Sequence, residues 1–419
     1  MRLCYVLHQF PELSQTFVFR QIIDLLQRGH QVDVLAARPG EGASQHAAWS
    51  KQAEELGLRT FYTGMREGLL RRTLQSSLLA LPALLRYPQL AATALDVRRF
   101  GWFAATGSLL SMGLPWAKQH RRYDAIVAHF GPQGMIAQGL REMRVLEGPL
   151  VTFFHAYDLT AAPRLAGRGM YRRLFERGEL QLAISQRGAQ RLWGLGAPPE
   201  RTQVHHLGVN VALFQAPSER PPRTPEQATR VISIGRLVEK KGFELGLRAV
   251  ARARSRGARL TYVIYGSGPL EAALERCIDD LGLRGVAQLC GPASQERLAE
   301  ALRSSDVMLA PSITARGGDE EGIPIVLMEA LATELPVVAT DCGGVAELVA
   351  DHGCGFLVPE QERSAMTEAL ADALYRLSGS PELARRLGRA GRERVLEDFS
   401  EERQGQRLVG LLLQLGGGA

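Results

Sequence analysis

Paired cysteines are missing from this chain. Its five (Cys4, Cys277, Cys290, Cys342 and Cys354) are odd in number, scattered and never spaced C-x-x-C. Neither a disulfide framework nor a zinc site is indicated, and a reducing cytosol is the expected setting. A Walker A sequence is absent, which argues against a P-loop ATPase, and so is the G-x-S-x-G elbow of serine hydrolases. There is no D-x-D pair to carry a divalent metal with a diphosphate; Asp319 and Glu321 come nearest, and neither a metal nor another cofactor is expected. Aromatic residues make up only 6% and interleave with no basic stripe, so nucleic acid is not an expected partner. Met1 to Phe10 reads as a strand rather than the apolar core of an export signal, which leaves a cytoplasmic protein as the expectation.

What is present is ordinary globular material with a basic balance. A chain of 419 residues, 45% hydrophobic and 22% charged, exceeds one core and implies two domains or three. Its formal net charge of +6 favours anionic partners such as nucleotide diphosphates and phospholipid surfaces. Residues 66 to 122 set nine Arg and Lys between apolar blocks, and Phe100 to Ala117 carries no charge. The reading taken there is a buried helix pair. A basic amphipathic face in peripheral contact with an anionic membrane comes second, and a membrane span third.

Along the chain, short apolar runs alternate with helical spacing. Leu3 to Leu7, a helix bearing Phe17, Ile22, Leu25 and Leu26, and Val32 to Ala36 form a β-α-β unit, which makes the sheet parallel with its working edge at the strand C-termini. The turn at residues 8 to 16 holds Ser14 and Thr16 and sits at that edge. Further strands are expected at 124–129, 150–155, 180–185 and 203–207. Two of them finish in His129 and His155, the second within Phe154-His155-Ala156-Tyr157-Asp158. Residues 214–230 are polar and hold four prolines, so they read as a linker between an acceptor-side domain at 1–213 and a second domain at 231–394. Second-domain strands are expected at 231–235, 260–266, 286–291, 307–311, 336–340 and 356–358. A helical tail from 384 to 415, its leucines late, packs back across the first domain from about residue 395. The fold class is thus α/β, with two Rossmann-like domains facing across a cleft.

The stretch Asp319-Glu320-Glu321-Gly322-Ile323-Pro324-Ile325-Val326-Leu327-Met328-Glu329-Ala330 carries the densest chemistry. An acidic loop becomes an apolar helix start, with Pro324 one or two residues inside. Glu321 and Glu329 would lie roughly 12 Å apart along the axis if the loop continues the helix direction. Between them, the N–H groups near Gly322 and Ile323 and the helix dipole suit a diphosphate, while the carboxylates accept hydroxyls at either end. An acidic first turn stabilising its own helix is the plain alternative, weakened because Glu329 falls among apolar neighbours and needs a partner. Gly235-Arg236 and Lys241-Gly242 form a strand-to-helix turn that offers a planar fork and a point charge to two phosphates; a solvated basic turn is the competing reading. Gly266 and Gly268 make another strand-end turn with backbone room for a nucleotide, or an ordinary tight turn. His205-His206 has no ligand partner at metal spacing and reads as structural.

On these motifs the chain resembles the retaining glycosyltransferase family 4, whose fold is called GT-B. Leu13-Ser14-Gln15-Thr16-Phe17, Phe154 to Asp158 and Pro311 through Gly322 are similar to the exopolysaccharide glycosyltransferases of the colanic acid type. The resemblance implies that Glu321 holds donor-sugar hydroxyls, Glu329 the ribose, and Arg236 and Lys241 the diphosphate, without metal. It also implies that His155 faces the sugar, with Ser14 closing on donor and acceptor. Gln15 and Gln21 depart from the acidic residues usual there, which bears on the acceptor. The expected activity is transfer of a hexose from a UDP- or GDP-sugar to a glycan or polyprenyl-linked acceptor. A sugar-nucleotide epimerase or hydrolase of the same fold and a non-catalytic nucleotide-sugar-binding scaffold remain the alternatives.

Overall fold

Leu3 to Leu7 is an unbroken apolar run, and every one of its side chains is at most 1% exposed. Burial on both faces is what a central parallel strand demands. The computed structural model describes residues 1–12, 15–40, 47–217, 227–349 and 353–416. Its strands are β1 (Arg2–Phe10), β2 (Gln31–Pro39), β3 (Arg59–Tyr62), β4 (Arg121–Arg122), β5 (Ala125–His129), β6 (Leu146–Glu147), β7 (Leu150–Phe154), β8 (Leu180–Ala183), β9 (Thr202–Val204), β10 (Thr229–Ile234), β11 (Leu260–Tyr265), β12 (Ala287–Gly291), β13 (Val307–Ala310), β14 (Val337–Thr340) and β15 (Gly355–Val358). They build two parallel sheets in two units, Met1–His205 with Gly405–Ala419 and His206–Gln404.

In the first unit the sheet order is β3-β2-β1-β5-β7-β8-β9, and β4 pairs with β6 as a two-residue ribbon. Helix Thr16–Gln27 packs on it through Val18, Phe19, Ile22, Ile23, Leu25 and Leu26, the i, i+3, i+4 stripe of an amphipathic helix. Near the opposite strand ends, Asp33 is buried and takes hydrogen bonds from Arg59 Nε at 2.7 Å and the Tyr123 hydroxyl at 2.8 Å. Leu408 and Leu412, fully buried, complete this core from helix Glu401–Gly416.

The second unit orders its strands β12-β11-β10-β13-β14-β15. Chain direction across each sheet reverses once, between β1 and β5 and between β10 and β13. Such switch points leave an opening beyond the strand C-termini, where open α/β sheets hold ligands.

Two expectations need correction. Residues 66–122 are not a buried helix pair: helix Leu69–Arg86 buries only Ser76 and Ala83 and turns most of its leucines outward, whereas the short helices after it bury Leu90, Phe100, Leu109, Leu110 and Met112. The tail is helical in two pieces, Pro381–Asp398 and Glu401–Gly416, separated at the buried Phe399 and Ser400. Pro324 does not lie inside its helix; it caps Ile325–Ala332 with an extended backbone (φ −65°, ψ 124°). Glu321 is therefore a loop residue and does not continue the helix axis.

Candidate active site

The switch point of the second unit gathers a charged cluster. After β10 the chain turns through Gly235 to Lys241, and Gly242 starts helix Phe243–Ser255 from a left-handed conformation (φ +62°). A Cβ on Gly242 would meet the Pro311 carbonyl oxygen at 1.8 Å, so close passage of the loop after β13 requires glycine there. That passage brings Lys241 Nζ within 3.1 Å of Glu321 Oε1 and Lys240 Nζ within 3.1 Å of Asp319 Oδ2. Lys240 also donates to the Glu320 carbonyl oxygen at 3.2 Å.

The Glu321 side chain is only 8% exposed. Burial alone would raise its carboxyl, but the charges of Lys241, Lys240 and Arg236 outweigh burial and hold it below the usual range. Glu321 Oε1 is buried, and the Lys241 ammonium is the charge set against it. From the loop after β14, Gly343 (φ +67°) backs this segment, where a Cβ would stand 1.8 Å from the Glu321 carbonyl oxygen. Gly344 N–H donates to the Gly322 carbonyl oxygen at 3.0 Å.

Ile323 and Pro324 then lead into helix Ile325–Ala332, whose first N–H groups precede any acceptor in their own helix. Glu329 is 5% exposed, between the fully buried Met328 and Ala330. Gly266 and Gly268 follow β11, and their backbones press on the Gly235 and Leu237 carbonyl oxygens, where a Cβ would stand at 1.9 and 2.6 Å. These glycines are there because loop packs on loop. Arg236 is exposed.

The first unit holds a separate cluster at its own switch point. The Tyr5 hydroxyl donates to Gln21 Oε1 at 2.8 Å, and His129 Nε2 lies 2.9 Å from the same oxygen. A carbonyl oxygen accepts, so His129 Nε2 carries the proton and its Nδ1 is the acceptor. His155 Nε2, 3.2 Å from that Nδ1, must then be the donor, and the lone pair of His155 resides on Nδ1. Burial pushes His155 down to about 3 and holds His129 well below its usual value, assisted there by His155 and His205. Both rings are neutral at physiological pH.

Asp158 sits beneath them, fully buried. Burial raises its carboxyl to about 7 against hydrogen bonds from the Gly131 N–H at 2.8 Å and the His155 N–H at 2.7 Å. Its part is to fix the turns after β5 and β7. Thr16 opens helix Thr16–Gln27 on the same strand-end side, whereas Ser14 lies outside the described residues.

The donor-side residues singled out in sequence thus collect on one sheet edge of the second unit, and His129, His155 and Asp158 collect in the first. Lys240, Gly343 and Tyr5 were missed, as was the contact of Gln21 with His129. The Lys-Lys doublet and a Gly-Gly turn after a strand were legible signals; the Gln21 contact, 108 residues from His129, had none. His206 pairs with Glu347 Oε1 at 2.6 Å within the second unit, a structural contact. Among the described residues no group of three or more His, Cys, Asp and Glu could hold a metal ion.

Two Rossmann-like parallel sheets with polar clusters at their switch points define the GT-B class. Residues 14–213 match the model of Glycosyltransferase Family 4, and residues 215–394 that of Glycosyl transferases group 1. WcaL of Salmonella typhimurium, described as a colanic acid biosynthesis glycosyltransferase, is 35% identical over 98% of this chain and 99% of its own. The amylovoran biosynthesis glycosyltransferase AmsK of Erwinia amylovora is 33% identical over 99% of this chain and all of its own. Among solved structures, Anabaena HepE in complex with UDP and glucose superposes with a TM-score of 0.69 at 18% identity, over 99% of this chain and 100% of that one. The chain belongs to glycosyltransferase family 4 and is a transferase.

Proposed function

We propose that this protein moves a hexose from a UDP- or GDP-sugar, with retention of anomeric configuration, to a glycan or polyprenyl-linked acceptor in exopolysaccharide assembly on the cytoplasmic side. The observation that carries the donor half is the approach of Lys241 to Glu321, two residues eighty positions apart joined at one switch point. Glu321, kept ionised, accepts hydroxyls of the donor sugar. Arg236 and Lys241 neutralise the diphosphate as charge grows on the leaving oxygen, which is stabilisation of the transition state rather than of bound substrate. These fixed cations do the work a divalent metal would otherwise do, and the reaction is proposed to need none. The turns at Gly235, Gly266 and Gly268 and the helix start at Gly322, Ile323 and Pro324 line the donor, and Glu329 accepts the ribose hydroxyls.

On the acceptor side the neutral His155, held by His129 and by its capping box with Asp158, faces the sugar, and Ser14 and Thr16 are assigned to the acceptor. The exopolysaccharide role rests on the names of the full-length relatives. The test is a panel of UDP- and GDP-hexoses with and without a polyprenyl-linked acceptor, following nucleotide release and the anomeric configuration of the product. Acceptor-dependent release with retention is expected. Release without acceptor would instead make the protein a hydrolase, a donor epimer would make it an epimerase, and binding without turnover a scaffold.

A further inference from the structure

Helix Leu69–Arg86 is built inside out. Its inward face is narrow: Leu79, Ala80 and Ala83 pack on the core, the buried Ser76 hydroxyl donates to the Gly107 carbonyl oxygen at 3.0 Å, and Arg72 Nη1 donates to the Ser108 hydroxyl at 3.1 Å. On the outward face stand Leu70, Leu74, Leu78, Leu81 and Leu85, with exposures of 84%, 62%, 71%, 67% and 79%. At 3.6 residues per turn these five fall within an arc of about 80°, opposite Ser76 and Ala83. An ordinary surface helix has the reverse pattern, and a continuous apolar stripe in the open marks a surface with a partner.

We propose that this helix docks the protein in the plane of an anionic lipid bilayer, the leucines among the acyl chains and the arginines at headgroup level. Charge singles out this partner. From residue 68 to 95 there is no acidic side chain, while Arg71, Arg72 and Arg86 are present; Arg66 and Glu67 precede, and Glu67 is paired with Arg38. Arg71 and Arg86 are exposed. Protein interfaces draw their binding energy mostly from Trp, Tyr and Arg, with Leu under-represented, whereas apolar leucines flanked by bases are the composition of helices that lie in a membrane surface. No helix among the described residues is long and apolar enough to cross a bilayer, so the contact is peripheral. Eighteen residues give a helix of about 27 Å, enough to seat all five leucines at one depth.

The inference goes beyond the transferase reading and fails separately from it. The test is sedimentation of the purified full-length protein with vesicles of phosphatidylethanolamine and phosphatidylglycerol, and with vesicles of phosphatidylcholine alone, beside sedimentation velocity of the protein without lipid. Partitioning onto the anionic vesicles, weakened by salt, is expected. The combined variant Leu74→Gln, Leu78→Gln, Leu81→Gln, whose side chains leave the fold's core untouched, should lose at least about 100-fold in partitioning. Arg71→Gln and Arg86→Gln should each cost about fivefold on anionic vesicles. Donor turnover on a soluble acceptor should stay at the wild-type rate in all three. Equal partitioning of wild type and leucine variant would overturn the proposal. So would a leucine-dependent dimer without vesicle binding, which would identify a second copy of the chain as the occupant.

Discussion

Lys241 Nζ stands 3.1 Å from Glu321 Oε1, across a turn and a loop that meet only because β10 and β13 are neighbours in the sheet. The lysine thereby serves two ends, holding the carboxylate ionised and facing the place assigned to the diphosphate. Lys241→Ala should lower kcat about 100-fold or more. It should also move the acidic limb of the kcat profile upward, because Lys241 is the foremost of the charges that keep Glu321 low. A carboxyl depressed in the native state adds stability above its unfolded value that is lost as pH falls through the native one. Removing Lys241 therefore shifts acid unfolding to higher pH as well. A profile with the wild-type limb would refute the coupling.

Glu329 offers a different signature. Buried between Met328 and Ala330, it is assigned to the ribose, so Glu329→Ala should raise the dissociation constant of the free nucleoside diphosphate about 10- to 100-fold. Calorimetric titration with UDP and GDP measures this directly. An unchanged constant, with the fold intact by circular dichroism, would remove the assignment.

Architecture was the readable part of the sequence. Strands and helices alternate in the open, and the strand-end motifs Gly235 to Gly242, Gly266 to Gly268 and Glu321 to Glu329 could be placed on one edge from pattern alone. Local signals did less well where tertiary packing decides. Pro324 looked like a first helical residue, yet the chain reaches it extended, as a loop pinned by Gly343 and Gly344 must. Leu69 to Arg86 looked like buried material because hydrophobicity records composition and not which face a neighbour covers. The Tyr5, Gln21, His129 and His155 chain joins four separate elements, and no spacing rule reaches across them.

That first-unit chain carries a pH prediction with opposing slopes. His155 and His129, neutral when buried, bind fewer protons in the folded than in the unfolded state below about pH 6.5, so their contribution to stability rises with pH. Asp158, raised to about 7, holds a proton in the folded state that the unfolded chain has released, so its contribution falls between its unfolded value and about 7. Asp158→Asn should therefore steepen the rise of unfolding free energy with pH by up to about 1.4 kcal/mol per pH unit within that window. Urea unfolding at several pH values settles it. The slope of the wild type, retained in the variant, would contradict the raised carboxyl.

Gln21 permits a sharper test of ring orientation. Its neutral amide oxygen receives both Tyr5 and His129. A carboxylate there would receive the same donors and in addition favour a cationic His129, which would then have to donate from Nδ1 toward His155. Gln21→Glu should raise the His129 titration into a range visible by NMR and reverse the tautomer of His155, lowering kcat while stability changes little. Identical ring signals in both proteins would count against the directed chain.

Gly343→Ala isolates the loop's position from its charges. A methyl group 1.8 Å from the Glu321 carbonyl oxygen must push the segment away, at a backbone φ that alanine tolerates poorly. Turnover should fall at least about tenfold, out of proportion to the change in melting temperature. Wild-type turnover would show that the placement of Glu321 is not limiting.

Helix Glu401–Gly416 inserts Leu408 and Leu412 among the residues of β1, β2 and helix Thr16–Gln27, although the other unit, His206–Gln404, intervenes in sequence. Cutting the gene at the proline-rich linker to express the halves would thus strip a wedge from the N-terminal fragment and leave an orphaned greasy tail on the C-terminal one. Each fragment would need that last segment grafted or deleted before it could be handled in isolation.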